Sequence, residues 1–304
     1  MTKTANLTVA ISTLDRPDSL SRCLDALWSG DVLPMEVIVV DQSRGDTTSS
    51  IIERCRARGL PIIYVRQQAS GLAGSQNAAI ARARCPIIAV LDDDCIPERG
   101  WIAVVEKSFA SCQTLAALTG RVLPLEPEGD KIYPVSSRTS AVRTEFTRKC
   151  SPWIVGSGNN FAVKRQWFFD IGGCDERLGP GSPGKGGVDM DLFYRLLRAG
   201  GYVRYEPDML VYHERQTKAG RIGRRSMYGR GMGACCTIWL RQRDFYAVRV
   251  LTEWVFFRSR LLVTAASRCR WMSAYEELLM LTGTVSGLMY GAYVGSSDKD
   301  NRAI

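Results

Sequence analysis

The chain has 304 residues, 45% of them hydrophobic, enough for one large domain or one domain with an appendage. Its ten cysteines show no Cys-x-x-Cys spacing and there is a single histidine, which excludes a structural zinc site and reads as reduced, mostly buried thiols. The formal net charge is +9, and its placement says more than its size: residues 1–213 carry 25 basic against 24 acidic side chains, residues 214–304 carry 15 against 7. A basic tail behind a near-neutral body points to nucleic acid, an anionic membrane surface or an acidic ligand, with a solvated helix face as the plain alternative. The first apolar run, residues 7–11, follows a polar stretch and is too short for a secretory signal, so the expected location is the cytoplasm, at most peripheral to a membrane.

The first strand is expected over residues 7–12, followed by Thr13-Leu-Asp-Arg-Pro17 and an amphipathic helix over about 18–28, with Pro17 where a first helical turn tolerates it. Residues 36–40 repeat the theme and end at Asp41, and a helix follows over about 47–58. A third strand, 62–65, leads into a glycine-bearing turn and a helix over about 75–83. The fourth, Ile87-Ile-Ala-Val-Leu91, is an uncharged apolar run of the kind buried on both faces, and it ends in three adjacent carboxylates, Asp92, Asp93 and Asp94. Three neighbouring anions repel one another and persist most easily where a cation or a donor network neutralises them; a solvated acidic turn is the bland alternative.

Strands alternating with helices of about ten residues predict right-handed βαβ units and a mostly parallel sheet flanked by helices, an α/β fold. Ligands of such sheets bind at the carboxyl ends of the strands. There the chain places Thr13, Asp15 and Arg16, then Asp41, then the Asp92 to Asp94 run. A single Asp after a strand is weak evidence, because Asp is also a good helix N-cap; three such ends are harder to explain as caps.

These residues carry a resemblance. Ile11-Ser-Thr-Leu-Asp-Arg-Pro17, Val39-Val-Asp-Gln-Ser43, Gly71-Leu-Ala-Gly-Ser-Gln-Asn77, Leu91-Asp-Asp-Asp94, Gly172-Gly-Cys-Asp-Glu176, Val188-Asp-Met-Asp-Leu192 and Val211-Tyr-His213 resemble, in order, the motifs of glycosyltransferase family 2, inverting nucleotide-sugar enzymes of the GT-A fold. The resemblance covers about the first 215 residues. It implies a GT-A domain over 1–220, with a nucleotide-sugar half to about 122 and an acceptor half beyond it, followed by a basic helical region over 221–304. It also implies a donor site formed by Thr13, Asp15, Arg16, Asp41, Asn77, Asp92 and Asp93, with Asp41 near the base or ribose, and a divalent metal, Mn²⁺ or Mg²⁺, at Asp94 and His213. An isolated histidine is more often a hydrogen-bonded structural residue, which is the alternative for His213. Two positions depart from the family: Gln42 stands where acidic residues or Asn are common, and Val188 stands where the family has Glu beside the Asp.

The chemistry can be stated from the reaction alone. A sugar nucleotide leaves as a diphosphate, so bond breaking builds negative charge on phosphate oxygens, and a divalent cation held by carboxylates stabilises it as a Lewis acid. Oxygen ligands favour Mg²⁺ or Mn²⁺, and a histidine tilts the choice toward Mn²⁺. Asp189 stands three and four residues before Leu192 and Phe193 and is expected on the inward face of a helix, while Asp191 pairs outward with Arg195. At a helix start under a mobile Gly179-Pro-Gly-Ser-Pro-Gly-Lys-Gly-Gly187 flap, Asp189 suits a general base that deprotonates the acceptor hydroxyl; an N-cap satisfies the same position. Residues 123–151, with Pro124, Pro127 and Pro134, are expected as a long loop that holds the acceptor or makes a surface excursion, and Gly156-Ser-Gly-Asn-Asn160 allows close approach of backbone to a sugar.

After His213 come Arg215, Lys218, Arg221, Arg224, Arg225 and Arg230 with no acid between, able to close over a diphosphate, touch lipid head groups or stay solvated. Helices are expected over about 227–240, 246–266 and 275–293. Residues 278–297 carry no charge, and glycines recur at 283, 287, 291 and 295, a flat face for close helix contact in a packed bundle or a membrane. The expected partners are a nucleotide-sugar donor, a saccharide or lipid-linked saccharide acceptor, a membrane surface, and a second copy through the C-terminal helices. Nucleic acid is not expected, because the basic residues lack a reading motif and accompany apolar helices. A donor-binding scaffold and a sugar nucleotidyltransferase remain the alternatives.

Overall fold

The structure, a computed structural model, describes residues 3–125, 132–148 and 150–300, with side chains to Val294. Pro127 and Gly295 of the stretches above lie outside the residues so described. In chain order the elements are β1 (Lys3–Thr13), α1 (Pro17–Trp28), β2 (Val32–Asp41), α2 (Thr47–Ala57), β3 (Ile62–Arg66), α3 (Gly71–Arg82), β4 (Ile87–Asp92), β5 (Cys95–Pro97), α4 (Trp101–Ser111), β6 (Leu115–Pro124), β7 (Ile132–Tyr133), β8 (Thr144–Phe146), β9 (Asn160–Lys164), α5 (Arg165–Asp170), α6 (Val188–Arg198), β10 (Tyr202–His213), β11 (Gln216–Thr217), α7 (Lys218–Arg241), α8 (Tyr246–Ser267) and α9 (Trp271–Asp300). They divide into two compact units, Met1–Cys174 with Leu192–Gln216, and Asp175–Asp191 with Thr217–Ile304.

The first unit is built on a sheet of order β3-β2-β1-β4-β9-β6-β10-β5, with β8 on β10. The four strands expected from the sequence are mutually parallel, while β9 runs antiparallel to both β4 and β6. The sheet is therefore mixed, because β9 returns after a long excursion and enters between two strands already laid down. Leu7, Val9, Ile11, Val37 and Val39 form one core with Leu20, Leu24 and Leu27 of α1, Ile52 of α2 and Trp101 and Val105 of α4. The alternate residues Ala10, Ile38, Val40, Ile88 and Val90 are buried as well, and α3 packs on β1 and β2. That is why the strands read as unbroken apolar runs: both faces are covered.

The described part of the expected loop 123–151 is not featureless. Thr144–Phe146 pairs with β10, Val122 and Arg138 exchange backbone hydrogen bonds, and the Arg138 guanidinium lies 4.8 Å from the Tyr205 ring centre. Pairing with a strand some 60 residues downstream leaves no local period in the sequence.

The second unit is helical. Gly229 and Gly233 of α7 face Met280 and Thr284 of α9, and Gly283 and Gly287 of α9 face Ser226 and Arg230 of α7, so closely that an added Cβ would stand 2.0–2.3 Å from a backbone oxygen. The glycine face of α9 is thus spent on α7. No helix among the described residues is long and apolar enough to cross a membrane. The flap expected at 179–187 is packed instead: a Cβ on Gly186 would stand 2.6 Å from Met227 O, and one on Gly187, at φ +87°, 2.8 Å from Cys235 Sγ. Gly186 and Gly187 serve close approach to α7.

Candidate active site

Strand register brings the first group together. Thr13 sits opposite Asp41 across β1 and β2, and Ser12 opposite Asp92 across β1 and β4, so the polar ends expected from the sequence form one row. Thr13 Oγ1 donates to Asp93 Oδ2 at 2.7 Å, and Arg16 Nη1 donates to Asp93 Oδ1 at 3.2 Å and Asp94 Oδ2 at 2.9 Å. Burial would lower the Arg16 guanidinium, but Asp93 and Asp94 outweigh it and hold it up. Burial pushes the Asp93 carboxyl up to about 6, against the pull of Arg16 and with the push of Asp94. Asp92 is only half-buried, the most open of the three.

A second strand pair adds the histidine. The β5–β10 ladder sets His213 opposite Cys95, and Glu214 N donates to Asp94 O at 3.0 Å. His213 is buried, with Nδ1 2.7 Å from Glu214 O. A carbonyl can only accept, so Nδ1 carries the proton and Nε2 presents a lone pair when the ring is neutral. That Nε2 stands 3.4 Å from Asp94 Oδ1, which is buried without a hydrogen-bond partner. Two acceptors aimed at each other in a buried space fit a cation between them. Cys95 Sγ lies within 4.8 Å of both, but burial and the nearby Asp92 and Asp94 push its thiol well up, leaving the carboxylate and imidazole as the fitting ligands. Arg22 and Ser19 of α1 both bond the Glu214 carboxylate, bracing the strand end that carries His213.

Beside this cluster is a cavity of about 610 Å³ lined by Leu14, Asp15, Gln42, Arg44, Arg66 and Gln67, among others, a size that accommodates a nucleotide. Asp15 takes a left-handed φ of 53° so that its N–H donates to Ser43 Oγ and its Oδ1 accepts from Arg44 N. Asp41, expected to touch the base or ribose, is fully buried: Oδ1 accepts from Ser43 N at 2.8 Å and Oδ2 from the Tyr64 hydroxyl at 2.6 Å. Burial and this bond push the Tyr64 hydroxyl up to about 12. Asp41 does not line the cavity; it braces Ser43, which does. Gln42 bridges Ser70 N and Gly71 O, fixing the entry to α3.

The remaining expected residues are spread further. Both ends of the Asn77 amide bond the Cys174 backbone, at 2.8 and 3.0 Å, so this side chain clips the Gly172-Gly173 turn to α3. Asn159 was not singled out by sequence, yet it is buried with neither side-chain amide atom hydrogen-bonded among the described residues, and its backbone carbonyl accepts from Asp92 N at 3.4 Å. In the second unit, Asp191 is the buried carboxylate, accepting from Trp239 Nε1 at 2.8 Å, whereas Asp189 is half-exposed. This reverses the faces expected from spacing, because a partner supplied by α7 buries Asp191. Arg195, the expected i, i+4 partner of Asp191, also donates to the carbonyls of Ile171 and Gly173. Of the basic run, Arg221 and Arg225 are bonded to the buried Glu276 and Arg215 to Leu125 O.

A mixed sheet with carboxylates, arginine and histidine at its strand ends beside a nucleotide-sized cavity defines a GT-A protein. The family described as glycosyl transferase family 2 matches residues 8–170, and the chain belongs to glycosyltransferase family 2. It is 26% identical over 257 residues to a pre-mycofactocin glycosyltransferase of Mycobacterium tuberculosis, covering 81% of this chain and 50% of that protein. It is 25% identical over 241 residues to a hyaluronan synthase of Pasteurella multocida, covering 68% of this chain and 24% of that protein. The chain thus spans half or less of the length of these relatives. Its fold is similar to a mannosyltransferase from Pyrobaculum calidifontis in complex with GDP-Man and Mn²⁺, with a TM-score of 0.64 at 17% identity, covering 94% of this chain and 88% of that one.

Proposed function

We propose that the chain transfers a sugar from a nucleotide-sugar donor to a hydroxyl acceptor, with inversion at the anomeric carbon, in assembly of a polysaccharide or a lipid-linked saccharide. The observation that carries this reading is the cluster of buried Thr13, Asp93, Asp94 and His213 at the strand ends beside the cavity, with the more exposed Arg16 guanidinium bonded to the two carboxylates. The hyaluronan synthase relative supports a saccharide acceptor, and the GDP-Man and Mn²⁺ complex of the Pyrobaculum enzyme supports a nucleotide sugar and a divalent cation.

In this reading the cavity takes the nucleoside, with Asp15 and Arg66 at its walls and Asp41 bracing the lining residue Ser43 from behind. Asp94 Oδ1 and His213 Nε2 would hold Mn²⁺ or Mg²⁺, which neutralises charge on the departing diphosphate. Arg16 and Thr13 keep Asp93 and Asp94 in place. Asp189, in the first turn of α6, is the base that takes the acceptor proton.

The test is thermal stabilisation across UDP-, dTDP- and GDP-sugars with Mn²⁺, Mg²⁺ or chelator. Metal-dependent stabilisation by one nucleotide class, lost in Asp94→Ala, supports the donor site; no shift with any donor overturns it. A donor-binding scaffold is the second reading, favoured by the buried Val188 where the family has Glu. Release of nucleoside diphosphate that Asp189→Asn abolishes while donor binding persists rules the scaffold out, and pyrophosphate release would point to a nucleotidyltransferase.

A further inference from the structure

The second unit turns an apolar surface outward on its last two helices. On α9, Trp271, Tyr275, Leu278, Val285 and Met289 share one face at helical spacing, each 47–68% exposed. This is not the glycine face, which is spent on α7. On α8, Val248, Val255, Phe256 and Val263 are likewise exposed. Scattered apolar side chains are ordinary on a surface, but exposed apolar residues repeated along each of two helices that pack on one another mark something to be covered.

Charge identifies what covers it. Arg260 on α8 and Arg268 and Arg270 in the turn to α9 are exposed. The acids of the described residues 218–294 are Asp244, Glu253, Glu276 and Glu277, and the last three are already paired with Arg249, with Arg221 and Arg225, and with Arg258. The partner must therefore bring anions as well as apolar substance. A second copy would bring the same excess of arginine to the contact. Aromatic Trp271, Tyr275 and Phe256 beside arginines suit the boundary between head groups and acyl chains.

We propose that the outer face of α8 and α9 seats on the surface of an anionic lipid bilayer. The helices lie on the membrane and do not cross it, in keeping with their length and hydropathy. Apolar side chains enter the head-group boundary and the arginines meet lipid phosphates. This inference is independent of the donor reading.

The test is flotation of the full chain with vesicles of phosphatidylcholine, with and without phosphatidylglycerol. Binding is expected only with phosphatidylglycerol, falling with salt, and falling about tenfold or more in Val285→Glu with Met289→Glu and in Arg268→Glu with Arg270→Glu. Circular dichroism checks that these variants fold. An environment-sensitive dye on Cys269, the exposed cysteine between those arginines, gives a readout in the unmutated helices and should shift to the blue on the anionic vesicles. No flotation and no dye shift overturns the proposal. So does a dimer in light scattering that Val285→Glu with Met289→Glu dissociates while vesicles stay unbound, since a second copy would then be the occupant.

Discussion

His213 Nε2 and Asp94 Oδ1 face each other across 3.4 Å, although 118 residues separate them between β4 and the end of β10. The carboxylate oxygen is buried with no hydrogen-bond partner among the described residues, and the imidazole is turned toward it by the bond from Nδ1 to Glu214 O. Neither Asp94→Asn nor His213→Ala should disturb the sheet, but each should weaken Mn²⁺ binding by at least about tenfold. Loss of the free-Mn²⁺ electron paramagnetic resonance signal on titration measures this directly, and unchanged binding in both variants would remove the pair as the cation site.

Asp93 gives a pH signature. Its folded carboxyl is raised to about 6 from 3.8, so between those values the folded state binds more protons than the unfolded one. Stability therefore falls as pH climbs from about 4 to 6 by roughly 2–3 kcal/mol for this group, and the whole penalty is present above pH 6. Asp93→Asn should flatten that limb in urea unfolding measured across the range.

Asn159 should show a conflict between stability and activity. Its unpaired buried amide costs about 1–3 kcal/mol, so Asn159→Ala should match or exceed the parent in thermal unfolding while losing donor turnover. A variant both less stable and fully active would mean that the amide is a structural group.

The buried Glu276 neutralises two arginines of α7, whose side chains are 28–29% exposed. Glu276→Gln should destabilise the protein by about 2 kcal/mol, less than a fully buried pair because water still reaches the guanidinium groups. Chemical denaturation measures the difference, and a neutral effect would mean that solvent already carries those charges.

Two glycines make a contrasting pair. Gly287→Ala places a methyl 2.0 Å from Arg230 O and should lower stability by about 3 kcal/mol or more, whereas Gly223→Ala meets nothing within 4 Å and should raise it by about 1 kcal/mol through helix propensity alone. Thermal melts of the two variants decide it.

The four parallel strands and the row Thr13, Asp41 and Asp92 were legible in sequence because each strand is a short apolar run ending in a polar residue. What could not be read depends on contacts distant along the chain. The inserted antiparallel β9 and the β8–β10 pairing have no local period. The burial of Asp191 needs Trp239, 48 residues on, and spacing within α6 alone nominates the wrong carboxylate for the inward face. Asn77 and Asp41 were found by motif, yet their hydrogen bonds give them positioning work on backbone and on Tyr64. The glycine run at 179–187 looked loose because composition does not say what a missing side chain makes room for.

The helical unit takes two separate pieces of the chain, Asp175–Asp191 and everything from Thr217 onward. A boundary drawn near residue 220 would therefore cut through a shared inheritance. A fragment stopping at Gln216 would keep Gly186, Gly187 and Asp191 but lose Gly231, Cys235 and Trp239, against which they are fitted. The helices are then no detachable cassette that shuffling could trade between enzymes. A lineage that replaced them would have to rebuild the start of α6, and with it the ground on which Asp189 stands.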